Sequence, residues 1–196
     1  MVYDGYVSKY LNRRISEPIA RLLVKTPVTP NQVTVAAFGI AVLSLVGFIL
    51  GQNIIAGLLA QLSSIVDGID GSLARLKGMF STFGGFLDSV LDRYADILVI
   101  LGLTLWSLAN ETYPGITVVG FLAVTGSVCI SYTRALIGTN QHLFDHGLQS
   151  VASRDIRLLV IAIGAVIGQG YLCLIAIAAL TNIIVFYRVA CARRFL

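Results

Sequence analysis

Four aspartates stand in two apolar stretches of the sequence, in pairs whose spacing suits an α-helix. Asp67 and Asp70 are three residues apart, and Asp88 and Asp92 are four apart. Each pair would therefore lie on one face of its helix. Because only a short segment, 78–81, separates the two stretches, the helices are expected to be antiparallel neighbours. The spacing thus predicts four carboxylates that converge near one end of a helix pair.

Carboxylates in an apolar helix require a counter-charge. An ionised carboxylate costs about 2.5–3.5 kcal/mol at the centre of a membrane helix and less towards the interface. Arg75 and Arg93 are close in sequence, but two cations do not neutralise four acids that also repel one another. An all-oxygen set of ligands without His or Cys suits Mg²⁺ or Mn²⁺ rather than zinc. We expect two ions, because Mg²⁺ usually binds one or two carboxylates and completes its shell with water and phosphate.

Small residues accompany the aspartates, at positions Gly68, Gly71, Ala74, Gly84 and Gly85. In membrane helices small residues usually allow close helix packing, and for Gly68 and Gly85 packing and ligand contact both stay open. Gly71 and Gly84 share the faces of the carboxylates, which favours close approach of a ligand to the backbone. Arg75, at the membrane boundary, is placed to meet a phosphate. Metals, an arginine and open backbone together predict a site for a diphosphate substrate.

The elements that must position this site are membrane helices. Hydrophobic residues make up 57% of the 196-residue sequence and charged residues 12%, whereas a globular domain carries roughly 25% charged residues. This composition excludes a soluble domain, a nucleic-acid-binding domain and a disordered tail. Six stretches are apolar enough to cross a bilayer, and they fall at 31–51, 53–77, 81–109, 114–137, 154–168 and 170–191. We predict an all-α polytopic membrane protein with six transmembrane helices.

The positions of the basic residues predict the orientation. With both termini inside, every Lys and Arg falls on one side of the membrane, which places the termini and the site in the cytoplasm. The net charge of +4 then reflects topology, so we expect a lipid bilayer and no nucleic acid as partner. Residues 1–30 are predicted to form an amphipathic juxtamembrane segment on the inner leaflet, or packed on the end of the bundle, before a catalytic domain over 31–196. No cleavable signal peptide is expected.

The spacing also resembles a known signature, that of the CDP-alcohol phosphotransferase family. The sequence reads Asp67-x2-Asp70-Gly71-x2-Ala74-Arg75-x8-Gly84-x3-Asp88-x3-Asp92, and the upstream segment 29–34 is similar to the family's segment before its first membrane helix. The resemblance implies metal-dependent transfer of a substituted phosphate group from a CDP-alcohol to the hydroxyl of an acceptor alcohol, with release of CMP. It also implies a homodimer.

The resemblance assigns roles to individual residues. The metals would be held by Asp67, Asp70 and Asp88, with Asp92 completing their shell. Asp92 would also be the base that takes the proton from the acceptor hydroxyl. The CDP moiety would be bound by Asn31, Thr34, Asp67, Asp70, Gly71, Ala74, Arg75 and Gly84.

Basic residues at the inner helix ends bear on the acceptor. We interpret Arg134, Arg154 and Arg157 as a phosphate clamp, which favours a phosphorylated acceptor such as inositol phosphate or glycerol phosphate over serine or choline. The other arginines near the C-terminal end are interpreted as membrane anchors: Arg188, Arg193 and Arg194.

Two stretches, 4–16 and 153–157, resemble the membrane part of di-myo-inositol-phosphate-phosphate synthases, which join CDP-inositol to inositol phosphate. Such enzymes are often fused to a cytidylyltransferase, so here CDP-inositol is expected to come from elsewhere. The alternatives within the family are a phosphatidylinositol-phosphate or a phosphatidylglycerol-phosphate synthase, each using a CDP-linked lipid.

The remaining reactive residues are given structural interpretations. His142 and His146 flank Asp145, and without further ligands we favour a site entrance or solvated side chains over zinc. Cys129, Cys173 and Cys191 are predicted to be small buried hydrophobes. The competing classes are a cation transporter, because intramembrane carboxylates also mark ion paths, and a structural membrane protein. Neither class explains why the acids crowd one end or why glycines and Arg75 accompany them.

Overall fold

The computed structural model describes residues 12–137 and 153–195, and seven α-helices account for most of that part of the chain. The helices are α1 (Arg13–Leu23), α2 (Pro30–Ile49), α3 (Asn53–Lys77), α4 (Thr82–Asn110), α5 (Ile116–Ile137), α6 (Arg154–Ile167) and α7 (Gly170–Phe195). The described ranges contain no β-strand. The predicted all-α class is confirmed.

Local sequence signals set the helix ends that border the site. Thr29 begins α2 with a capping box, since its hydroxyl accepts from the Gln32 N–H while its own N–H donates to the Gln32 side chain. Gly78 ends α3 with a φ of 64°, a left-handed conformation that favours glycine. The Ser81 hydroxyl accepts from the Gly84 N–H at 2.9 Å and begins α4. The short link between α3 and α4 is therefore fixed at both of its ends.

Helix α2 packs against both α3 and α4, whereas α3 and α4 make few contacts with each other. This corrects the expectation that the two acidic helices are packing neighbours. Glycines allow α3 and α4 to pack closely on other helices. A Cβ on Gly102 of α4 would lie 3.0 Å from Phe48 of α2, and one on Gly57 of α3 would lie 2.6 Å from Ala165 of α6. Helix α2 therefore bridges α3 and α4, and the acidic halves of these two helices border a cleft.

The main apolar core lies in the half of the bundle away from the aspartates. On α3 it includes Ala56 and Ala60, which precede the acidic segment, and on α4 it includes Val99, Leu103 and Trp106, which follow it. A smaller buried cluster supports the acidic half from behind, and its members are Ala20, Val33, Ile69 and Leu73. The site region therefore lies next to two buried apolar clusters.

Within the described ranges, four helices are long and apolar enough to cross a membrane, over Pro30–Ile49, Asn53–Lys77, Ile116–Leu136 and Gly170–Ala192. They fall on four of the six predicted spans, as expected of an integral membrane protein. Helix α4 is long enough, but Asp88, Asp92, Arg93 and Asp96 lower its hydropathy. Helix α6 has 14 residues, or about 21 Å, against about 30 Å of hydrocarbon. The six-span count stays a prediction.

Helix α1 lies within the segment that is predicted to be amphipathic. Ser16 and Ala20 are buried where α1 packs on α3, while Ile15, Ile19 and Leu22 are exposed on another face. One face of α1 therefore packs on the bundle, and another face is apolar and exposed. The two alternatives drawn from the sequence involve these two different faces. Its position on a membrane stays a prediction, and residues 1–11 lie outside the described ranges.

Candidate active site

Three carboxylates from two helices meet near one end of the bundle. One oxygen each of Asp67, Asp70 and Asp88 lies within 4.8 Å of the other two. Helix α2 contributes to the same point, because the Thr34 hydroxyl donates to the Asp70 carboxylate at 2.5 Å. The convergence that the helical spacing predicted is present, and α2, rather than direct α3–α4 packing, holds it.

These three carboxylates fit a divalent cation. Asp70 is only 9% exposed, and neither Asp70 nor Asp88 has an ion-pair partner among the residues that the structure describes. Oxygen-only groups at these separations suit Mg²⁺ or Mn²⁺. A cation there would supply the compensation that buried acids require.

Asp92 lies beside this group and contacts arginines instead. Its carboxylate is 2.7 Å from Arg154 Nη1 and 3.1 Å from Arg93 Nη2. The same Arg154 nitrogen lies 2.6 Å from the Asp67 carboxylate. Arg154 therefore joins the first acidic helix to the second, and Asp92 occupies a different chemical environment from Asp70 and Asp88.

An open cleft of about 200 Å³ lies on the other side of the three carboxylates. All the residues predicted for the CDP moiety line it except Asp67, namely Asn31, Thr34, Asp70, Gly71, Ala74, Arg75 and Gly84. Asp88 and the exposed Met79 and Phe80 line it as well. The Arg75 guanidinium is steadied by the Ser72 hydroxyl, to which it donates at 3.1 Å. The structure thus gathers the predicted nucleotide residues around one opening.

The four glycines near the aspartates have different surroundings. A Cβ on Gly71 would meet only Arg75 Nη1, at 3.8 Å, and a Cβ on Gly85 would meet nothing within 4 Å. A Cβ on Gly84 would lie 2.9 Å from Asn31 Oδ1, whereas Gly68 faces Ser16 of α1 at 3.4 Å. Gly68 therefore serves helix packing. Gly71 and Gly85 border the open cleft, and Gly84 makes room for a lining side chain.

A second, smaller pocket of about 40 Å³ lies next to Arg93 and Arg154, the two arginines that contact Asp92. It is lined by Arg93, Ile130, Ser131, Arg134, Arg154 and Arg157. All three arginines that the sequence predicted as a phosphate clamp are among them. Four arginines therefore border this space, and three of them also contact aspartates.

Asp96 is a site residue that our sequence analysis missed. It is 3% exposed and accepts from Arg157 Nη2 at 2.5 Å, from Arg154 Nε at 3.3 Å and from the Ser127 hydroxyl at 3.4 Å. The available signal was the four-residue spacing, because Asp96 continues the series that Asp88 and Asp92 begin. This carboxylate fixes the two arginines of α6 against α4.

We expect Asp96→Ala to destabilise the protein by about 3–5 kcal/mol, because it breaks the buried ion pairs that Asp96 makes with Arg157 and Arg154. Unfolding of the purified protein in detergent, followed by circular dichroism, measures the change. Ser127→Ala removes only the longest of the three contacts and is the control. Equal stability of the two variants would contradict this account of Asp96.

Arg188 of α7 is also buried, at 2% exposure, and donates to the Ile130 carbonyl at 2.6 Å and to the Thr133 hydroxyl at 2.9 Å. Burial inside the bundle corrects its interpretation as a membrane anchor, since an anchor would reach the headgroups. The predictions for Arg193 and Arg194 rest on side chains that are not described. His142 and His146 lie outside the described ranges.

The cysteines differ from prediction. Cys129 is exposed, Cys173 and Cys191 are partly exposed, and all three are free thiols. In a membrane protein an exposed helix face can meet lipid, where a small apolar thiol has no need of burial.

An all-α membrane bundle in which carboxylates separate an open cleft from an arginine pocket has the arrangement of a membrane-bound phosphotransferase. The chain belongs to the CDP-alcohol phosphatidyltransferase family, whose model matches residues 27–192. This membership supports the phosphotransferase class over the cation transporter that the carboxylates also allowed.

Two curated relatives illustrate the similarity. The Bifunctional IPC transferase and DIPP synthase of Rubrobacter xylanophilus is 39% identical over 91% of this chain and 40% of its own length. The Archaetidylinositol phosphate synthase of Pyrococcus horikoshii is 31% identical over 92% of this chain and 94% of its own length. The chain spans less than half of the length of the bifunctional relatives that it matches.

Crystal structures of the phosphatidylinositol phosphate synthase of Mycobacterium tuberculosis share the fold. The structure with CDP-DAG bound has a TM-score of 0.75 at 24% identity, covering 90% of this chain and 92% of that chain. The structure in complex with manganese and citrate has a TM-score of 0.72 at 22% identity, covering 90% of this chain and 88% of that chain. The similarity shows that the described helices form the same bundle.

Proposed function

We propose that this enzyme uses inositol phosphate as its acceptor and CDP-inositol as its donor. The observation that carries the acceptor is the pocket in which four arginines stand beside Asp92. Three of these arginines already contact aspartates, and a phosphate monoester would add a charged acceptor for the guanidinium groups that border the pocket, which a neutral alcohol such as serine or choline does not. The names of the Pyrococcus and Mycobacterium relatives both contain inositol phosphate, which supports the same acceptor.

The metal site is proposed at Asp67, Asp70 and Asp88, with Asp92 completing it. Divalent cations held there would neutralise the diphosphate of the donor and stabilise the departing CMP. Asp70 and Asp88 also line the nucleotide cleft, so a diphosphate bound in the cleft would lie against the carboxylates that hold the cations. The site is proposed to hold two ions, Mg²⁺ or Mn²⁺.

Asp92 is proposed as the general base. It is linked to both the carboxylate group and the arginine pocket, because Arg154 contacts Asp92 and Asp67 and also lines that pocket. An acceptor held there by its phosphate would present a hydroxyl to Asp92. Asp92 takes the proton, the hydroxyl oxygen bonds to the β-phosphorus, and the bond from that phosphorus to the bridging oxygen breaks, so that CMP leaves with this oxygen.

The nucleotide is proposed to occupy the open cleft, with Gly71 giving its closest approach. We expect Gly71→Ala to weaken CDP-alcohol binding about tenfold or more, because the methyl group would enter the space of the ligand while meeting only one protein atom within 4 Å. Titration with a CDP-alcohol, followed calorimetrically, measures this. The control is Gly39→Ala, which also enters open space but lies outside the cleft. Equal affinities of the two variants would remove Gly71 from the site.

A CDP-linked lipid is the second candidate donor. The observation in its favour is the apolar rim of the cleft, where Met79 is 47% exposed and Phe80 is 72% exposed. The Mycobacterium enzyme was crystallised with CDP-DAG. In this case the product would be a phosphatidylinositol phosphate or, with glycerol phosphate as acceptor, a phosphatidylglycerol phosphate.

Release of CMP by the purified protein distinguishes these possibilities. CDP-inositol and CDP-diacylglycerol are each offered with inositol phosphate, glycerol phosphate or unphosphorylated inositol, in the presence of Mg²⁺. We expect turnover with inositol phosphate and CDP-inositol, and none with unphosphorylated inositol. Turnover only with CDP-diacylglycerol would overturn CDP-inositol as donor and support the lipid donor. Turnover with unphosphorylated inositol would overturn the proposal that the arginines bind the phosphate of the acceptor.

The proposal includes the membrane arrangement. Six crossings with both termini and the site in the cytoplasm would put the carboxylates, the cleft and the arginine pocket at the inner surface, where soluble nucleotides and inositol phosphate reach them. A homodimer and an interfacial α1 complete the arrangement. Accessibility of single cysteines introduced at Lys25 and at Glu111 to a membrane-impermeant reagent would test the orientation.

A further inference from the structure

A buried hydrogen-bond network joins three helices next to the site. The Asn12 side-chain amide donates to the Ser64 hydroxyl at 3.0 Å and to the Asp155 carboxylate at 2.9 Å. The Ser64 hydroxyl donates to the same Asp155 oxygen at 2.7 Å, and the Gln61 amide donates to Asn12 at 3.2 Å. Asn12 and Ser64 are each 2% exposed. Polar side chains buried this completely are held by one another.

The residues that precede α1 and α6 do not cap these helices with their side chains. Asn12 precedes α1 and Ser153 precedes α6, and both residue types are good N-caps, yet neither makes a side-chain cap hydrogen bond. The Ser153 hydroxyl is buried without a partner among the described residues. The first turn of α6 is therefore held from outside, through Asp155.

The network lies one residue from the arginine that reaches the site. Asp155 follows Arg154 directly, and Ser64 precedes Asp67 by three residues, about one turn of α3. Two links thus run side by side between α3 and α6: Ser64 with Asp155, and Asp67 with Arg154 at 2.6 Å. A shift or rotation of the first turn of α6 would break both links and move Arg154 away from Asp92.

We propose that Asn12, Ser64 and Asp155 are positioning residues that set the affinity for the acceptor by fixing Arg154 in the arginine pocket. The inference rests on the proposed function, because it takes that pocket as the acceptor site. Asn12 is far in sequence from the reacting groups and acts on them through Asp155. The N-terminal segment would in this way contribute to acceptor binding.

Exchange of the two side chains tests the proposal. In Asn12→Asp two carboxylates face each other, and we expect the KM for inositol phosphate to rise about tenfold or more, with the KM for the donor within about twofold of wild type. In Asn12→Asp/Asp155→Asn the amide and the carboxylate are restored in reversed order, and we expect the acceptor KM to return to within about threefold of wild type. Ser64→Ala, which removes one hydroxyl, is expected to raise the acceptor KM by a smaller factor.

The control is Asn53→Ala. Asn53 donates to the Ala165 carbonyl at 2.7 Å, so this variant also removes a hydrogen bond between α3 and α6, but at the opposite end of the pair. Its acceptor KM should equal that of wild type even where its thermal stability falls. An unchanged acceptor KM in Asn12→Asp and Ser64→Ala, or a double variant no better than Asn12→Asp, would overturn the proposal. Absence of CMP release from wild type with every substrate pair would instead overturn the proposed function.

Discussion

Asp92→Asn is expected to lower CMP release by about a thousandfold or more while CDP-alcohol binding stays within about threefold of wild type. The change keeps the shape of the side chain and removes the proton acceptor, and general-base catalysis typically contributes 10²- to 10⁴-fold. The nucleotide cleft is lined by other residues, so affinity for the donor should persist. Single-turnover CMP release and calorimetric titration with a CDP-alcohol measure the two quantities separately.

A metal-ligand role for Asp92 would give a different result from a role as base. If the residue serves mainly to hold a cation, high concentrations of Mg²⁺ should restore turnover in Asp92→Asn, whereas loss of the base is not reversed by metal. Glu17→Gln, an exposed substitution on α1, is the matched control for loss of a carboxylate. Normal turnover in Asp92→Asn would refute the assignment of Asp92 as base.

Removal of divalent cations should have an effect of the same order. We expect EDTA to lower CMP release by about a thousandfold, since neutralisation of the diphosphate and the leaving group is worth several kcal/mol. Mg²⁺ or Mn²⁺ should restore activity. Asp70→Asn keeps an acceptor for the Thr34 hydroxyl, which now donates to Asp70 at 2.5 Å, but loses the charge. It should therefore raise the Mg²⁺ concentration for half-maximal activity by about tenfold or more.

Full activity in EDTA would contradict the metal site, as would an unchanged Mg²⁺ requirement in Asp70→Asn. Binding of Mn²⁺, followed by its paramagnetic resonance, supplies a readout that does not depend on turnover. Glu17→Gln again serves as the control for charge. If Asp70→Asn binds Mn²⁺ as wild type does yet releases no CMP, Asp70 acts on the substrate rather than on the cation.

Periodicity and local chemistry predicted most of the fold. The apolar stretches gave helix positions close to those observed for α2 to α7, and Gly78 and Ser81 marked the turn between the acidic helices. The packing partners could not be predicted in this way. Nothing in the segments that contain Asp67 and Asp88 shows that α2 packs against both, because helix pairing depends on surfaces that are distant in sequence.

The carboxylates were the most predictable part of the site. Helix geometry puts Asp67 and Asp70 on one face, and the short link to the next helix brings Asp88 near them, so their oxygens lie together as expected. The four-residue spacing from Asp92 was a local signal for Asp96, but its role could not be predicted because its partner Arg157 is 61 residues away. The exposed cysteines were misjudged because burial rules derived from water-soluble proteins do not apply to a surface that faces lipid.

The ion pair between Asp96 and Arg157 has a consequence for biogenesis. Helix α4 carries four charged side chains, and the arginines that compensate its last aspartate belong to α6, which is synthesised later. A nascent chain that ends before α6 would present Asp96 to the translocon and the bilayer without the arginines that compensate it. We therefore expect stable integration of α4 to await the arrival of α6, so that the two helices enter their final places together.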